Sequence, residues 1–99
     1  MQVKIQSIHF DADSKLLDFI QEKVNKLGHY YDGLMGGEVF LRLEKSKDTQ
    51  NKIAEIKLQT RSGELFAKRQ CSTFEAAVTE STDALRIQVK KHKEKVKHL

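Results

Sequence analysis

Proline and tryptophan are absent from this sequence, and cysteine occurs once, at Cys71. Without proline, nothing in the chain forces a break in a helix or bars a segment from the interior of a sheet. A lone cysteine cannot close an internal disulfide, so the fold must rest on packing, and a reducing, cytoplasmic compartment is expected. No apolar run approaches the ~20 residues of a membrane-spanning helix, so no membrane partner is expected. The start of the chain alternates apolar with polar residues, unlike a secretory signal. Linkers and internal repeats are missing too, and the 99 residues are expected to form one domain, 1–99.

Chemistry is equally sparse. His9, His29, His92 and His98 are scattered, and none stands at a metal-ligand spacing with another histidine or with Cys71. Gly36-Gly37 leads into a strand pattern rather than a helix, which is not the setting of a phosphate loop. Asp11 and Asp13 are accounted for as turn and cap residues. Cys71 precedes a helix N-terminus, where a thiolate is favoured, but no histidine is placed to activate it, and it reads as a small buried residue. No enzyme, metal, cofactor or small-molecule substrate is expected.

What the chain has is charge, unevenly placed. Residues 86–99 hold six Lys or Arg against one acid, Glu94, whereas residues 1–85 hold 12 bases and 13 acids. The excess lies on one helix. Ser72-Thr73-Phe74-Glu75 has the form of a capping box, and nothing after it stops a helix from Thr73 to Val96. Phe74, Ala77, Val78, Leu85, Val89 and Val96, with Ser81 and His92 between them, recur at steps of three and four and form one apolar stripe. Opposite the stripe, Arg86, Lys90, Lys93 and Lys97 fall on one line; Lys91 and Lys95 form a second on its other flank. A solvated face tends to mix signs, whereas a ridge of one sign suits a polyanion, most simply a nucleic-acid backbone.

Upstream, Val3, Ile5 and Ser7 alternate with Gln2, Lys4 and Gln6 as a half-buried strand. Asp13 or Ser14 caps a first helix, whose buried face is Leu16, Ile20, Val24, Leu27 and Tyr31. Lys15, Lys23 and Lys26 share a flank of it. Gly33, Gly36 and Gly37 mark a loop. Strands follow at 38–44, with Val39, Leu41 and Leu43 inward, at 54–59, and, after the Arg61-Ser62-Gly63 turn, at 64–70. Lys45 to Lys52 reads as an exposed hairpin loop. The order β-α-β-β-β-α predicts an α+β fold: a four-stranded sheet, its first two strands parallel and the rest an antiparallel meander, with both helices on one face. Phe40 and Phe66 point to the open face and read as a cross-strand pair. Base stacking there is the second reading, but the RNA-recognition fold that uses it runs β-α-β-β-α-β.

The run Leu85, Gln88, Val89 and Lys91-His92-Lys93-Glu94-Lys95-Val96-Lys97 resembles the last helix of the short hibernation-promoting factors, relatives of the ribosome-associated inhibitor protein Y. Thr73-Phe74-Glu75-Ala76-Ala77-Val78 agrees, as do Phe19, Lys23-Val24-Asn25-Lys26-Leu27, Tyr30-Tyr31-Asp32, Val39 to Glu44, and Gly63-Glu64-Leu65 with Ala67. The resemblance implies the same β-α-β-β-β-α fold, akin to the double-stranded-RNA-binding domain. It implies binding to the small ribosomal subunit and its ribosomal RNA, in the channel of messenger and transfer RNA, to inhibit translation in starved or stationary cells. Lys23, Lys26, Lys91, Lys93, Lys95 and Lys97 match basic positions of the family, and Arg86 and Lys90 extend the ridge. Ile87 stands where relatives commonly have Arg, Ala84 where they often have Lys, and Leu17 where Arg is frequent. The short type cooperates in some bacteria with a separate ribosome-dimerising protein. The rival readings are a general double-stranded RNA binder and a protein-interaction module with a basic helix.

Overall fold

The alternating segments pair into one sheet, and the two stripes of helical spacing close over one of its faces. The computed structural model describes residues 1–45 and 49–97. Its elements are β1 (Gln2–Ile8), α1 (Ser14–Leu27), β2 (Leu34–Leu43), β3 (Lys52–Thr60), β4 (Gly63–Cys71) and α2 (Phe74–Lys97). Strand order is β1-β2-β3-β4, with β1 parallel to β2 and the later pairs antiparallel, as expected. Both helices pack on the inner face. Leu16, Ile20, Val24 and Leu27 of α1 join Val78 and Leu85 of α2 over Val39, Leu41, Ile56 and Leu58. The loop expected at Lys45 to Lys52 falls in part, at residues 46–48, outside the described residues.

Asp13 caps α1, its carboxylate accepting from Leu16 N–H at 2.8 Å. The cap of α2 lies one residue later than the capping-box pattern implied. Thr73 Oγ1 accepts from Ala76 N–H at 3.0 Å, and Thr73 C=O from Ala77 N–H at 3.1 Å. With Thr73 as cap, the third residue on is Ala76, which has no carboxylate to return the bond, and Glu75 stands in the first turn instead. There it complements the positive end of the helix dipole.

Three further expectations are corrected. Gly36 and Gly37 are not loop residues: they lie inside β2, paired with Gln2 and Val3 of β1 and with Gln59 and Leu58 of β3. A Cβ on Gly37 would sit 3.3 Å from Leu58 Cδ2 and 3.5 Å from Val24 Cγ1, so glycine here lets α1 approach the sheet. The register shifts between Leu34 and Gly36, and Met35 is exposed at the irregularity. Leu43, expected inside, is exposed at the end of β2. Phe40 and Phe66 do not pair, because β3 runs between their strands. Phe40 lies opposite Glu55, and Phe66 opposite Lys57. Lys57 Nζ stands 5.9 Å from the Phe40 ring centroid, filling the place a second ring would take. Beside it, Glu55 binds Arg42 and Lys68 across the open face.

α2 is fixed along β4 by three polar contacts. Cys71 Sγ–H donates to the Glu80 carboxylate at one end. In the middle Gln88 Nε2–H donates to Phe66 C=O at 2.9 Å, and at the far end His92 Nε2 lies 3.1 Å from Ser62 Oγ. Ascending numbers on the helix meet descending numbers on the strand, so α2 runs antiparallel to β4.

Candidate nucleic-acid interface

The helices run side by side in the same direction. Asp13, Lys15 and Leu16 of the α1 start share a concavity with Glu75. Lys23, Lys26 and Leu27 share a groove with Thr82, Asp83 and Arg86. Just beyond α1, Tyr30 meets Lys90, whose Nζ is 5.4 Å from the ring centroid. Parallel packing thus brings the basic end of α2 to the end of α1 that carries Lys23 and Lys26. Acidic Asp11, Asp13 and Glu75 gather at the opposite end. Lys15, expected beside Lys23 and Lys26, lies among those acids, two turns up the helix.

One ridge therefore draws on two helices. Lys26, Arg86 and Lys90 are exposed and Lys93 half-buried, while Lys23 lies with its Nζ 5.7 Å from the Phe19 ring centroid. Lys93 continues the line beside His29 and Tyr30. Lys97 is the last residue of α2, and its side chain falls outside the description. Lys91 and Lys95, both exposed, occupy the other flank; Lys95 lines a concavity with Ser62 of the β3–β4 turn and Gly63 and Glu64 at the start of β4. Among the described side chains, Arg86, Lys90 and Lys93 lie on the flank that faces the end of α1, and Lys91 and Lys95 on the other flank. Among the described residues, the ion pairs are those of Arg42 and Lys68 with Glu55, and none of the ridge cations takes part in one. Uncompensated exposed lysines are free to neutralise an outside anion.

The departures from the family pattern have distinct surroundings. Ile87 projects into solvent at 56% exposure beside Arg86. Ala84 is half-buried and packs on the core, so a long base there would have to reach out along the surface. Leu17 is half-buried on α1. Residues that the sequence reading left out of the site are Tyr30, Arg61 and His92. Tyr30 is exposed among the cations. Arg61 lines a hollow with Tyr31, Asp32 and Ser62. His92, expected to fill a gap in the stripe, meets Tyr31 edge-on, with centroids 5.5 Å apart at 68°. Tyr30 stands one position off the apolar spacing that claims Tyr31, and a large aromatic out of phase was the signal.

Cys71 lies outside this surface and is buried at 8% exposure. Burial, then the hydrogen bond to Glu80 and that residue's charge, push its thiol up to about 11, against a smaller lowering by Arg69. It is a protonated packing residue, and the thiolate favoured by a helix N-terminus does not form.

The chain matches the family model described as Sigma 54 modulation protein / S30EA ribosomal protein over residues 3–97. A ribosome hibernation promoting factor of Pseudomonas putida is 33% identical over 99 residues, covering 100% of this chain and 93% of the relative. That of Escherichia coli K12 is 30% identical over 97 residues, covering 98% of each. Among solved structures, a ribosomal subunit interface protein from Coxiella burnetii superposes with a TM-score of 0.84 at 15% identity, over 95% of this chain and 99% of that one. The N-terminal domain of Thermus thermophilus Protein Y gives 0.76 at 23% identity, over 92% and 94%. Those two likenesses establish the fold. The family match and the identities establish descent: this chain belongs to the Sigma 54 modulation protein / S30EA ribosomal protein family, that of the ribosome hibernation promoting factors.

Proposed function

We propose that this protein is a ribosome hibernation factor that binds the small ribosomal subunit of cytoplasmic ribosomes. It occupies the channel that messenger RNA and transfer RNA share and inhibits translation in starved or stationary cells. The observation that carries this reading is the unpaired cationic ridge built from α1 and α2 together, in a member of the hibernation-factor family. The mechanism is occupancy. The walls of such a channel are ribosomal-RNA phosphate, and Lys23, Lys26, Arg86, Lys90 and Lys93 offer a line of charge to one wall. Lys91 and Lys95, on the other flank of α2, offer charge to a second. Phosphate contacts hold the protein without reading sequence, and specificity comes from the fit of a wedge to a cleft of fixed shape. No bond is made or broken.

Sedimentation tests it. Purified protein is run through a sucrose gradient with separated small and large subunits, and in parallel with a long RNA duplex. Co-migration with small subunits, lost progressively as salt is raised, is the expected result. Equal binding to the free duplex would make the protein a general duplex binder, and binding to neither would leave its basic helix to an acidic protein partner.

A further inference from the structure

The ridge is not purely cationic: an aromatic sits at its centre. Tyr30 follows the last turn of α1, its N–H donating to Leu27 C=O at 3.1 Å. The residue is 36% exposed. It borders the groove that holds Lys23, Lys26 and Arg86, and Lys90 stands over it. On its far side a concavity of about 330 Å³ opens between Tyr30, Tyr31, Lys93 and Val96, with His29 and Asp32 at its rim. That volume is at the lower end of what small-ligand clefts hold, about 300–1,000 Å³. The concavity has a fixed wall. Tyr31 is held edge-on by His92, and its ring lies so close over Gly33 that any side chain there would collide with it.

Packing accounts for Tyr31 but leaves Tyr30 partly open to solvent. A flat ring ringed by cations suits a ligand with one flat apolar face and an adjoining negative charge, which is the makeup of a nucleotide. Duplex RNA keeps its bases stacked inside, so the ligand must be unpaired. From this the geometry points to Tyr30, with the hollow beside it, as a stacking site for one unpaired RNA base, whose flanking phosphates lie on Lys90 and Lys93. This rests on the ribosome-binding reading for where the RNA comes from, but not for the chemistry of the site. Asp32 is the acid of the hollow, and it sets a limit: its carboxylate repels a phosphate placed on that rim and accepts from a base amino group instead.

The test uses the full chain and its own fluorescence, since tryptophan is absent and the two tyrosines are Tyr30 and Tyr31. The protein is titrated with a short oligoadenylate and, separately, with inorganic polyphosphate, which has the charge without the bases. After correction for absorbance, oligoadenylate should quench the tyrosine emission and polyphosphate should not. Tyr30→Leu should weaken binding of a labelled oligoadenylate about tenfold, a typical loss for one stacked base, and leave polyphosphate binding unchanged. Tyr30→Phe, which keeps the ring, should bind as the wild type does. Equal quenching by the two polyanions, no quenching at millimolar oligoadenylate, or equal oligoadenylate affinity for Tyr30→Leu and wild type would each overturn the inference. Subunit sedimentation of the same proteins separates the two proposals. Base-dependent quenching by a protein that ignores small subunits keeps the stacking site and removes the ribosome; co-sedimentation without base-dependent quenching does the reverse.

Discussion

From Phe74 to Val89, α2 has three acids, one base and a continuous buried stripe; from Lys90 to Lys97 it has five lysines, one acid and, as far as Val96, no buried residue. The helix is continuous through both halves, and no glycine or proline separates them. What changes is what each residue touches. The first half is bound by Ala77, Val78, Ser81, Leu85 and Val89 to the sheet, and helix propagation from a packed nucleus needs little further stabilisation. The second half can therefore spend its side chains on charge. Apolar anchoring and charge are separated along one rod, with His92 a polar anchor within the charged half, so stability and binding should respond to different mutations.

The largest expected effect lies in the anchored half. Leu85 is fully buried, and Leu85→Ala should lower unfolding free energy by roughly 2–5 kcal/mol through the cavity it leaves. Urea unfolding measures it, and subunit affinity per folded molecule should not change. A stability loss near zero would mean that Leu85 does not anchor the helix. In the charged half the pattern should invert. Lys90→Gln with Lys93→Gln should shift stability by no more than about 0.5 kcal/mol, yet flatten the slope of log affinity against log salt by about 2. The control is Lys4→Gln with Lys45→Gln, two exposed lysines elsewhere. If both pairs weaken binding equally, the protein acts through its overall field and the comparison of the halves fails.

Cys71 and Glu80 sharpen the anchored side. The folded thiol titrates near 11 against an ordinary 9.0, so the contribution of the protonated thiol to stability is complete below pH 9 and lost as pH rises through 11. Alkylation rates should follow the same midpoint, and Glu80→Gln, which removes the neighbouring charge, should bring it down. An alkylation midpoint at the ordinary value in the wild type would contradict the buried contact. Thr73→Ala should cost about 1 kcal/mol as loss of the α2 cap, while Ser72→Ala should stay within about 0.5 kcal/mol. Equal losses would restore the capping box centred on Ser72. Smallest is the coupling between Phe40→Ala and Phe66→Ala. With β3 between them the two changes should add within about 0.3–0.5 kcal/mol, and a larger coupling would mean that the rings meet.

Much of this was legible in the residues because it depends on period. Alternation placed four strands and chose their inner faces; spacing of three and four placed both helices and separated Lys91 and Lys95 from the Arg86–Lys90–Lys93 line. What sequence hid depends on contact. Parity says that Phe40 and Phe66 share a face but not that a strand lies between them. The run of glycines before Val39 reads as a loop until α1 is seen to need the space above Gly37. Two candidate caps in succession, Ser72 and Thr73, differ by one residue of register that pattern alone does not resolve. The joining of Lys23 and Lys26 to the basic end of α2, with Lys15 left among acids, follows from the parallel run of the helices, which no local signal encodes.

Gln88 has a further consequence. An outer strand of a sheet displays a ladder of carbonyl and N–H groups on which another molecule can pair, the usual beginning of edge-to-edge aggregation. On β4 that ladder is interrupted at Phe66, whose carbonyl already accepts from the Gln88 amide. The side chain that holds the helix to the sheet thus also occupies one acceptor of that edge. The other outer strand is β1, whose backbone receives no side-chain hydrogen bond among the described residues. It is seven residues long, with Lys4 on the open face, a charge of the kind that discourages a further strand from pairing at an edge. Each sheet edge thus carries its own obstacle to pairing with a second copy, a filled carbonyl on β4 and a lysine on β1.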